Sequence, residues 1–556
     1  MPATLTRPTA TSYATAPARA RRPKRRGQDE LTYLDEFCGM GGSTAGAFQV
    51  PGLVPYFAAN HNEQAIATHA ANHPDVEHYE GDVQKIRVAD VFPRVKVYWA
   101  SPACPAWSDA RGVSRTFDKA NQLTLWGAEL TEEEAKATRS RALMEEVVNY
   151  LRACADDHDP VLVGVVENVI QCRQWSDWHR WIGEIRALGY EVKTIALNSM
   201  HALAPYSPRC PQSRDRLYVA YWHKSLGRTP DFARWLRPVA WCPDCETWVR
   251  CIQAFKKPGA DMGRYRAQYV YRCPNTRCRN RVVEPDVLPA SAVIDWSDPG
   301  TPIGERTRPL KENTLARIRA GIEKYWAPLL TPTGGTWREG AIPLSHPMPT
   351  RTTRESDGLA VPPMMVPMEG RQGKQAASAD QPIRTQTCRR ETAVAFPPFM
   401  TPMRGGGDKE RAYRADERPM HTFTAGGFHH GLASGVRSVD PLLVQYYGNG
   451  RTLPASGPIG TLPTKERYGL ASPGSQPVNV DEVLFRMLSI GEIRDAMAFE
   501  PTYRLLDYSK RDQARLLGNA VTPPAAEVLL SALVEAVTGQ KRESGWDAYM
   551  RLALAA

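Results

Sequence analysis

Residues 31–42 read Leu-Thr-Tyr-Leu-Asp-Glu-Phe-Cys-Gly-Met-Gly-Gly. An apolar run, Leu31 to Leu34, passes directly into a turn with glycines at 39, 41 and 42. This predicts a buried strand, a tight turn and a helix from Ser43. Glycines at such a turn let the backbone approach a ligand closely, at the carboxyl end of a strand where open α/β sheets bind cofactors. Glycine turns are common in α/β proteins, so this one alone names no cofactor.

Outward from this turn, strands are predicted at Val54–Ala59 and Val95–Ala100. Leu143, Met144, Val147, Val148 and Leu151 fall at helical spacing within 138–154. Val161–Val166 is a continuous apolar run, as in a strand buried on both faces. A helix follows, then strands near Val192–Leu197 and Leu217–Tyr221. Alternating strands and helices predict an α/β domain, a mostly parallel sheet with helices on both faces.

The chain has 556 residues, enough for two or three domains. Its 42% hydrophobic and 23% charged residues suit a soluble globular protein. No apolar run of membrane-spanning length and no apolar core of a secretory signal is evident, so the expected address is cytoplasmic. Of the net charge of +10, seven positive charges lie in residues 1–28, which contain no acid. That segment reads as a disordered basic tail, either holding phosphates loosely or merely solubilising. Eleven cysteines, an odd number, argue against a disulfide framework.

The character changes after residue 224. Cys242-Pro-Asp-Cys245 and Cys273-Pro-Asn-Thr-Arg-Cys278 are two pairs separated by 27 residues. Four thiolates so spaced suit a structural, tetrahedral zinc with no open position for catalysis, as in a zinc ribbon, and leave Cys251 spare. The interleaved arginines, lysines and aromatics suit phosphate contact and stacking. Residues 330–480 are crowded with Pro, Gly and Thr and contain a repeat: Pro347-Met-Pro-Thr-Arg-Thr352, Pro382-Ile-Arg-Thr-Gln-Thr387, Pro419-Met-His-Thr-Phe-Thr424 and, more loosely, Pro458-Ile-Gly-Thr461 with Thr464. A Leu-Ala or Val-Ala follows each copy, which predicts a short β-hairpin per copy; the alternative is a Pro-rich linker. Helical patterning returns after 480, with Pro523 and Pro524 opening a helix through Val537, and the final residues read as tail.

Three further stretches carry chemical potential. Ser101-Pro-Ala-Cys104-Pro-Ala-Trp-Ser108 displays a cysteine in a stiffened loop after a strand, where a reactive thiolate would sit. Glu167-Asn168-Val169 ends an apolar strand, and a carboxyl there belongs at a cleft. Gln212-Ser-Arg214-Asp-Arg216 offers two arginines at i and i+2, on one side of an extended segment, able to clamp an oxygen. Singly, each has an ordinary structural explanation. Together, and in this order, they resemble the cytosine-5 DNA methyltransferase family. Gly518-Asn519-Ala520-Val521 is similar to that family's last motif, and Arg486-Met-Leu488, Glu492 and Phe499-Glu-Pro501 to the segment before it. These motifs span 31–223 and 483–537, under half the chain.

The resemblance implies a Rossmann-like domain dependent on S-adenosylmethionine, acting on double-stranded DNA without a membrane or an obligate protein partner. Cys104 would attack carbon 6 of a flipped-out cytosine, Glu167 would bond ring nitrogen 3 and the amine, and Arg216, with Arg214 nearby, would hold the base carbonyl. Phe37, Gly39, Met40, Gly41, Gly42, Asn60, Asp82, Pro102, Asn519 and Val521 would line the cofactor site. Two departures stand out: Ala103 replaces a proline of the family's Pro-Pro-Cys, and His61 stands where the ribose-binding acid should follow Asn60, with Glu63 close but out of register. The long stretch from Ala110 to about Glu134, with Arg115, Lys119 and Trp126, would be a loop that closes over DNA. The expected domains are a tail (1–28), a catalytic domain (29–223), a zinc-ribbon-like insert (224–300), a target-recognition region (301–480), a C-terminal return (481–540) and a tail (541–556). Alternatives are a tRNA methyltransferase or a catalytically impaired DNA-binding protein. The biological role within this reading is restriction-modification, protection of DNA, or regulation.

Overall fold

In the computed structural model the apolar run opening at Leu31 forms strand β1 (Leu31–Glu36), flanked in parallel by β2 (Leu53–Asn60) and β4 (Val97–Ala100). The structure describes residues 30–102, 132–288, 489–555 and isolated stretches between 290 and 487. It divides into two compact units, one of residues 1–293, 419–427 and 489–556, the other of 294–418 and 428–488. The basic tail, Ala103, Cys104 and the expected closing loop lie outside the described residues.

The first unit is built on a seven-stranded sheet. Besides β1, β2 and β4 it contains β3 (Glu77–Glu80), β5 (Val163–Asn168), β6 (Tyr190–Asn198) and, after the two-residue β7 (Gln212–Ser213), β8 (Asp215–His223). The order is β3-β2-β1-β4-β5-β8-β6, and β8 alone runs antiparallel to its neighbours β5 and β6. The expectation of a mostly parallel sheet therefore holds with one reversed strand. Pro55 sits inside β2, where it cannot donate to the ladder; Tyr33 faces Pro55 but Leu34 faces Phe57, a bulge at the missing donor.

Helices cover both faces. α1 (Gly42–Phe48), α2 (Glu63–Asn72), the single turn α3 (Val88–Val91), α4 (Glu132–Asp156), α5 (Trp178–Ala187) and α6 (Phe232–Leu236) come from the first half of the chain. α7 (Ile490–Ala496), α8 (Lys510–Asn519), α9 (Pro523–Thr538) and α10 (Gly545–Ala555) come from its end. On one face Leu143, Met144, Val147, Leu151, Trp181 and Ile185 of α4 and α5 pack on Leu34, Tyr98 and Val166. On the other, Val528, Leu529 and Leu533 of α9 pack with Phe232 and Trp235 of α6 on Tyr33, Trp99 and Val165. Residues 510–538 are long and apolar enough to cross a membrane, yet 89% of the apolar window is buried, so this is the core helix of the sheet. Pro523 and Pro524 start α9 where their missing donors cost nothing, and Gly539 ends it at φ 72°.

Three of the expected limits fall elsewhere. α6 packs on the seven-stranded sheet, and the strands of the insert begin at Val239 rather than 224. It comprises a hairpin, β9 (Val239–Cys242) with β10 (Thr247–Arg250), and a three-stranded sheet of β11 (Ile252–Phe255), β12 (Tyr269–Arg272) and β13 (Val282–Val283). The expected tail at 541–556 instead carries α10: Tyr549 meets Trp248 edge-on, Arg234 pairs with Asp547, and the Arg250 guanidinium lies over Trp546. Its aromatics find partners on an insert whose own core is small.

The second unit is β-rich, as expected, but the repeat is phased differently. Strands Leu329–Pro332, Met364–Pro367, Phe399–Pro402 and Leu442–Gln445 each pair antiparallel with the later strand carrying Leu-Ala or Val-Ala. The register is the same in all four, Leu329 facing Ala360, Met364 facing Ala395, Phe399 facing Ala433 and Leu442 facing Ala471. In sequence the Pro-x-x-Thr motif falls between the two paired strands of each copy, and apart from Met420 and His421 it lies outside the described residues. Val483–Met487 pairs with the strand His430–Val436 in this unit, so the C-terminal return begins at Ser489, not 481.

Candidate active site

The parallel strands deliver the expected residues to one edge. β1 ends at Glu36, and the turn after it is left-handed at Phe37, Gly39 and Gly41, with φ of 59°, 56° and 99°. Phe37 is not a glycine, and such a conformation costs a side-chain-bearing residue energy that the surroundings must supply. A Cβ on Gly39 would meet nothing within 4 Å, leaving open space beside the turn. A Cβ on Gly41 would lie 2.6 Å from the Tyr503 hydroxyl, and one on Gly42 would collide with the Val521 carbonyl. Tyr503 donates to the Met40 carbonyl. The C-terminal segment therefore closes directly on the first turn. Gly42→Ala is expected to force these backbones apart, costing about 1–3 kcal/mol by overpacking and weakening S-adenosylmethionine binding; calorimetric titration of cofactor into the variant checks this.

Asn60 ends β2 with its Oδ1 accepting from Asn62 N–H at 2.9 Å, and Asp82 follows β3. Pro102 follows β4, and Asn519 ends α8, exposed. Open space at Gly39, with Asn60 and Asp82 at adjacent strand ends, fits an adenosyl amino acid. His61 is exposed after β2, and Glu63 opens α2 behind the capping Asn62.

Beneath the turn lies a buried polar chain. Asp35 Oδ2 accepts from Ser43 at 2.5 Å and Thr44 at 2.7 Å. His69 Nε2 reaches Thr44 Oγ1 at 3.0 Å and its Nδ1 lies 2.7 Å from His78 Nε2. Burial pushes Asp35 up to about 7 against its hydrogen bonds, and His73 and His78 down to about 4. Glu36 is also fully buried, accepts from the Tyr98 hydroxyl, and is pushed up to about 8 by burial. The folded chain holds a proton on Glu36 that the unfolded chain has released, so stability falls as pH rises from about 4.5 through about 8. Glu36→Gln is expected to melt like the parent at pH 5 and above it at pH 9, in parallel thermal scans.

Of the expected catalytic residues, Glu167 sits at the end of β5 and Arg216 at the start of β8. Glu167 Oε1 accepts from Arg216 Nε at 3.0 Å, with side chains 11% and 15% exposed. Asn168, assigned no role from its sequence position, donates to the Pro102 carbonyl at 3.3 Å and so tethers the segment leading to Cys104. Ser101 N–H donates to the Glu36 carbonyl at 3.0 Å, a second tether. Arg214 is held differently from Arg216. It is 2% exposed, and its guanidinium donates to the Gly518 carbonyl at 3.2 Å and to the Ala520 carbonyl at 2.9 Å. Burial pulls it down to about 9. Arg214 thus clasps the C-terminal motif, while the Arg216 guanidinium reaches Glu167. The strand Met420–His421, from the third repeat copy, pairs in parallel with Gln212–Ser213 directly before Arg214.

In the insert the sulfurs of Cys242, Cys245, Cys273 and Cys278 all lie within 4.8 Å of one another. Tetrahedral zinc with bonds of about 2.3 Å puts sulfurs about 3.8 Å apart, and Cys245 and Cys273 are at 4.0 Å. Left-handed Glu246, Arg279 and Asn280 shape the two knuckles, and Arg281 pairs with Asp244 across them. Cys251 is spare, donating to the Pro238 carbonyl at 3.0 Å. The four cysteines can hold a structural zinc.

The sheet order, the glycine turn and the clustered strand ends give the Rossmann-like, mainly parallel α/β fold expected of a methyltransferase domain. Residues 31–234 match the family model described as C-5 cytosine-specific DNA methylase. No curated protein matches the sequence. Among solved structures, a Spodoptera frugiperda DNMT2 mutant is similar at 13% identity and TM-score 0.43, covering 91% of this chain and 99% of its own. S. pombe Dnmt2 methyltransferase is similar at 13% and 0.41, covering 91% and 98%. A putative DNA modification methyltransferase encoded within prophage Cp of E. coli is similar at 12% and 0.38, covering 92% and 100%.

Proposed function

We propose that this protein transfers the methyl group of S-adenosylmethionine to carbon 5 of cytosine in duplex DNA. The observation that carries the reading is the Glu167–Arg216 pair, 3.0 Å apart, beside the tethered start of the Cys104 loop. A flipped cytosine presents nitrogen 3, its amine and its carbonyl along one edge, which suits a carboxyl and a guanidinium held side by side. Cytosine is a poor nucleophile at carbon 5. Addition of the Cys104 thiolate at carbon 6 breaks the ring's aromaticity, and Glu167 and Arg216 stabilise the charge that develops. S-adenosylmethionine, when bound, would supply an electrophilic methyl to carbon 5 and leave as S-adenosylhomocysteine; loss of the carbon-5 proton to a base would then expel the Cys104 thiolate and restore the ring.

Charge favours a nucleic acid, and the long region between the arginine and Gly-Asn motifs favours duplex DNA over the substrate of a compact tRNA enzyme. Residues 239–288 carry nine Arg or Lys and five Asp or Glu. Four of those acids are already paired, Asp244 with Arg281, Asp261 with Arg173, Glu284 with Arg266 and Asp286 with Arg209. The surplus suits a polyanion. The repeat unit, between the arginine and Gly-Asn motifs, is then the target-recognition region, and modification that protects DNA from restriction is the role we favour.

The test is nucleoside mass spectrometry after incubating plasmid duplex and, separately, tRNA with zinc-loaded protein and S-adenosylmethionine. 5-Methyl-2′-deoxycytidine in the plasmid is the expected result. 5-Methylcytidine in tRNA alone would move the substrate to RNA, and no modified base in either arm would remove the enzymatic reading.

A further inference from the structure

We infer that Tyr265 and Tyr269 of the cysteine-bearing insert are positioning residues for methyl transfer, because they fix Asp215 and, through it, the guanidinium of Arg216. The inference rests on the catalytic reading of Arg216 given above.

The argument begins with where β8 is supported. β5 pairs with β8 only as far as Asn168 opposite Leu217. Asp215 and Arg216 lie beyond that point, where β6 alone continues the ladder, Leu197 facing Arg216 and Asn198 facing Asp215. A strand end held on one side frays unless something else secures it. The insert does so. Asp215 Oδ1 accepts from the Tyr265 backbone N–H at 3.2 Å and from the Tyr269 hydroxyl at 3.2 Å. Arg216 in turn donates to the Asp215 carbonyl at 3.0 Å while its Nε holds Glu167. One chain of polar contacts thus runs from the insert to the catalytic carboxyl.

The same strand leads to the cysteines. β12 begins at Tyr269 and ends at Arg272, and the next residue is the ligand Cys273. Tyr269 is therefore about 13 Å from Cys273 along an extended strand, at about 3.3 Å per residue. Tyr265 and Tyr271 meet the buried His201 ring edge-on, with centroids at 4.5 Å and 4.9 Å, which docks the strand against the catalytic core. Apart from its cysteines the insert has few buried apolar residues, among them Ala240, Val249, Tyr269, Tyr271 and Val283. Metal at the four sulfurs is then what keeps β12 in place, and the insert acts on the reaction at a distance as well as offering charge to nucleic acid.

The test uses full-length, zinc-loaded protein and whichever of plasmid duplex or tRNA accepts label. Tyr269→Phe removes one hydroxyl and Asp215→Ala removes the acceptor. Both are expected to retain zinc and to lower kcat about tenfold with KM for nucleic acid unchanged. Combined with Arg216→Ala, each is expected to add far less than its separate effect, since the variants break one chain. Amide exchange at Tyr265 is expected to be slow in zinc-loaded protein and fast after chelation. If Arg216→Ala is crippled while Tyr269→Phe and Asp215→Ala both turn over normally, or their effects multiply fully with it, this inference is overturned alone. If Arg216→Ala itself is unimpaired, the catalytic reading falls and the inference with it. Unchanged Tyr265 exchange on metal removal overturns the link to zinc.

Discussion

Arg216→Ala is expected to lower the single-turnover rate of methyl transfer by about 10²–10³-fold, the scale of losing one preplaced charge-stabilising donor, and Cys104→Ala to abolish it. The two losses differ in kind. In the proposed reaction Cys104 makes the bond that turns an unreactive ring into a nucleophile, so nothing replaces it. Arg216 would stabilise charge that appears only as that bond forms, so its loss is expected on kcat rather than KM. The geometry sharpens this expectation. Arg216 and Glu167 are nearly out of solvent and bonded to each other at 3.0 Å, so removing the guanidinium also leaves a poorly hydrated carboxylate beside the reacting ring. Arg216→Lys is expected to recover only part of the rate, because an ammonium cannot hold Glu167, the Asp215 carbonyl and a base oxygen with one planar fork. Equal kcat in parent and Arg216→Ala would exclude this role.

Loss of metal is expected to unfold the insert while sparing the sheet. Structural zinc contributes on the order of 10–16 kcal/mol in comparable small modules, far more than the insert's few buried side chains provide. Cys273→Ser, or chelation of the parent, is expected to strip the metal and abolish the near-ultraviolet dichroism of Trp241 and Trp248, whose rings meet edge-on at 5.7 Å on β9 and β10. The catalytic core should keep its far-ultraviolet signal, since its two apolar layers lie on either side of the seven-stranded sheet. A Cys273→Ser protein with full zinc content and unchanged dichroism would rule out the four-sulfur site.

The sequence made some of this legible and not the rest, for identifiable reasons. Continuous apolar runs announced β4 and β5, because strands buried on both faces need no alternation. β3 was missed because Glu77-His-Tyr-Glu80 has no such run; its inward residue is His78, satisfied by His69 rather than by apolar packing. The reversal of β8 left no trace, since a buried strand reads alike in either direction. The cysteine spacing did predict the sulfur cluster, because four ligands must converge whatever the loops do. The clasp made by Arg214 was not legible: spacing gives the side of a strand, but not that a guanidinium meets the carbonyls of Gly518 and Ala520, some 300 residues away. Asp215 could not have been found from one chain, since its partners Tyr265 and Tyr269 belong to an insert whose placement sequence does not give.

The split construction of the catalytic unit bears on how this chain accumulated its repeats. The chain leaves that unit at residue 293, returns over 419–427 and resumes at 489. The first two copies start 35 residues apart, at Leu329 and Met364, inside one such excursion. Lengthening an excursion by one copy costs the rest of the fold only a few tenths of a kcal/mol in closure entropy, because that cost grows with the logarithm of length. Copy number can therefore drift by duplication almost without selective resistance from the catalytic core. The third copy is the exception: its Met420–His421 is in register with Gln212–Ser213, so the genealogy of the array must be written around that one fixed member.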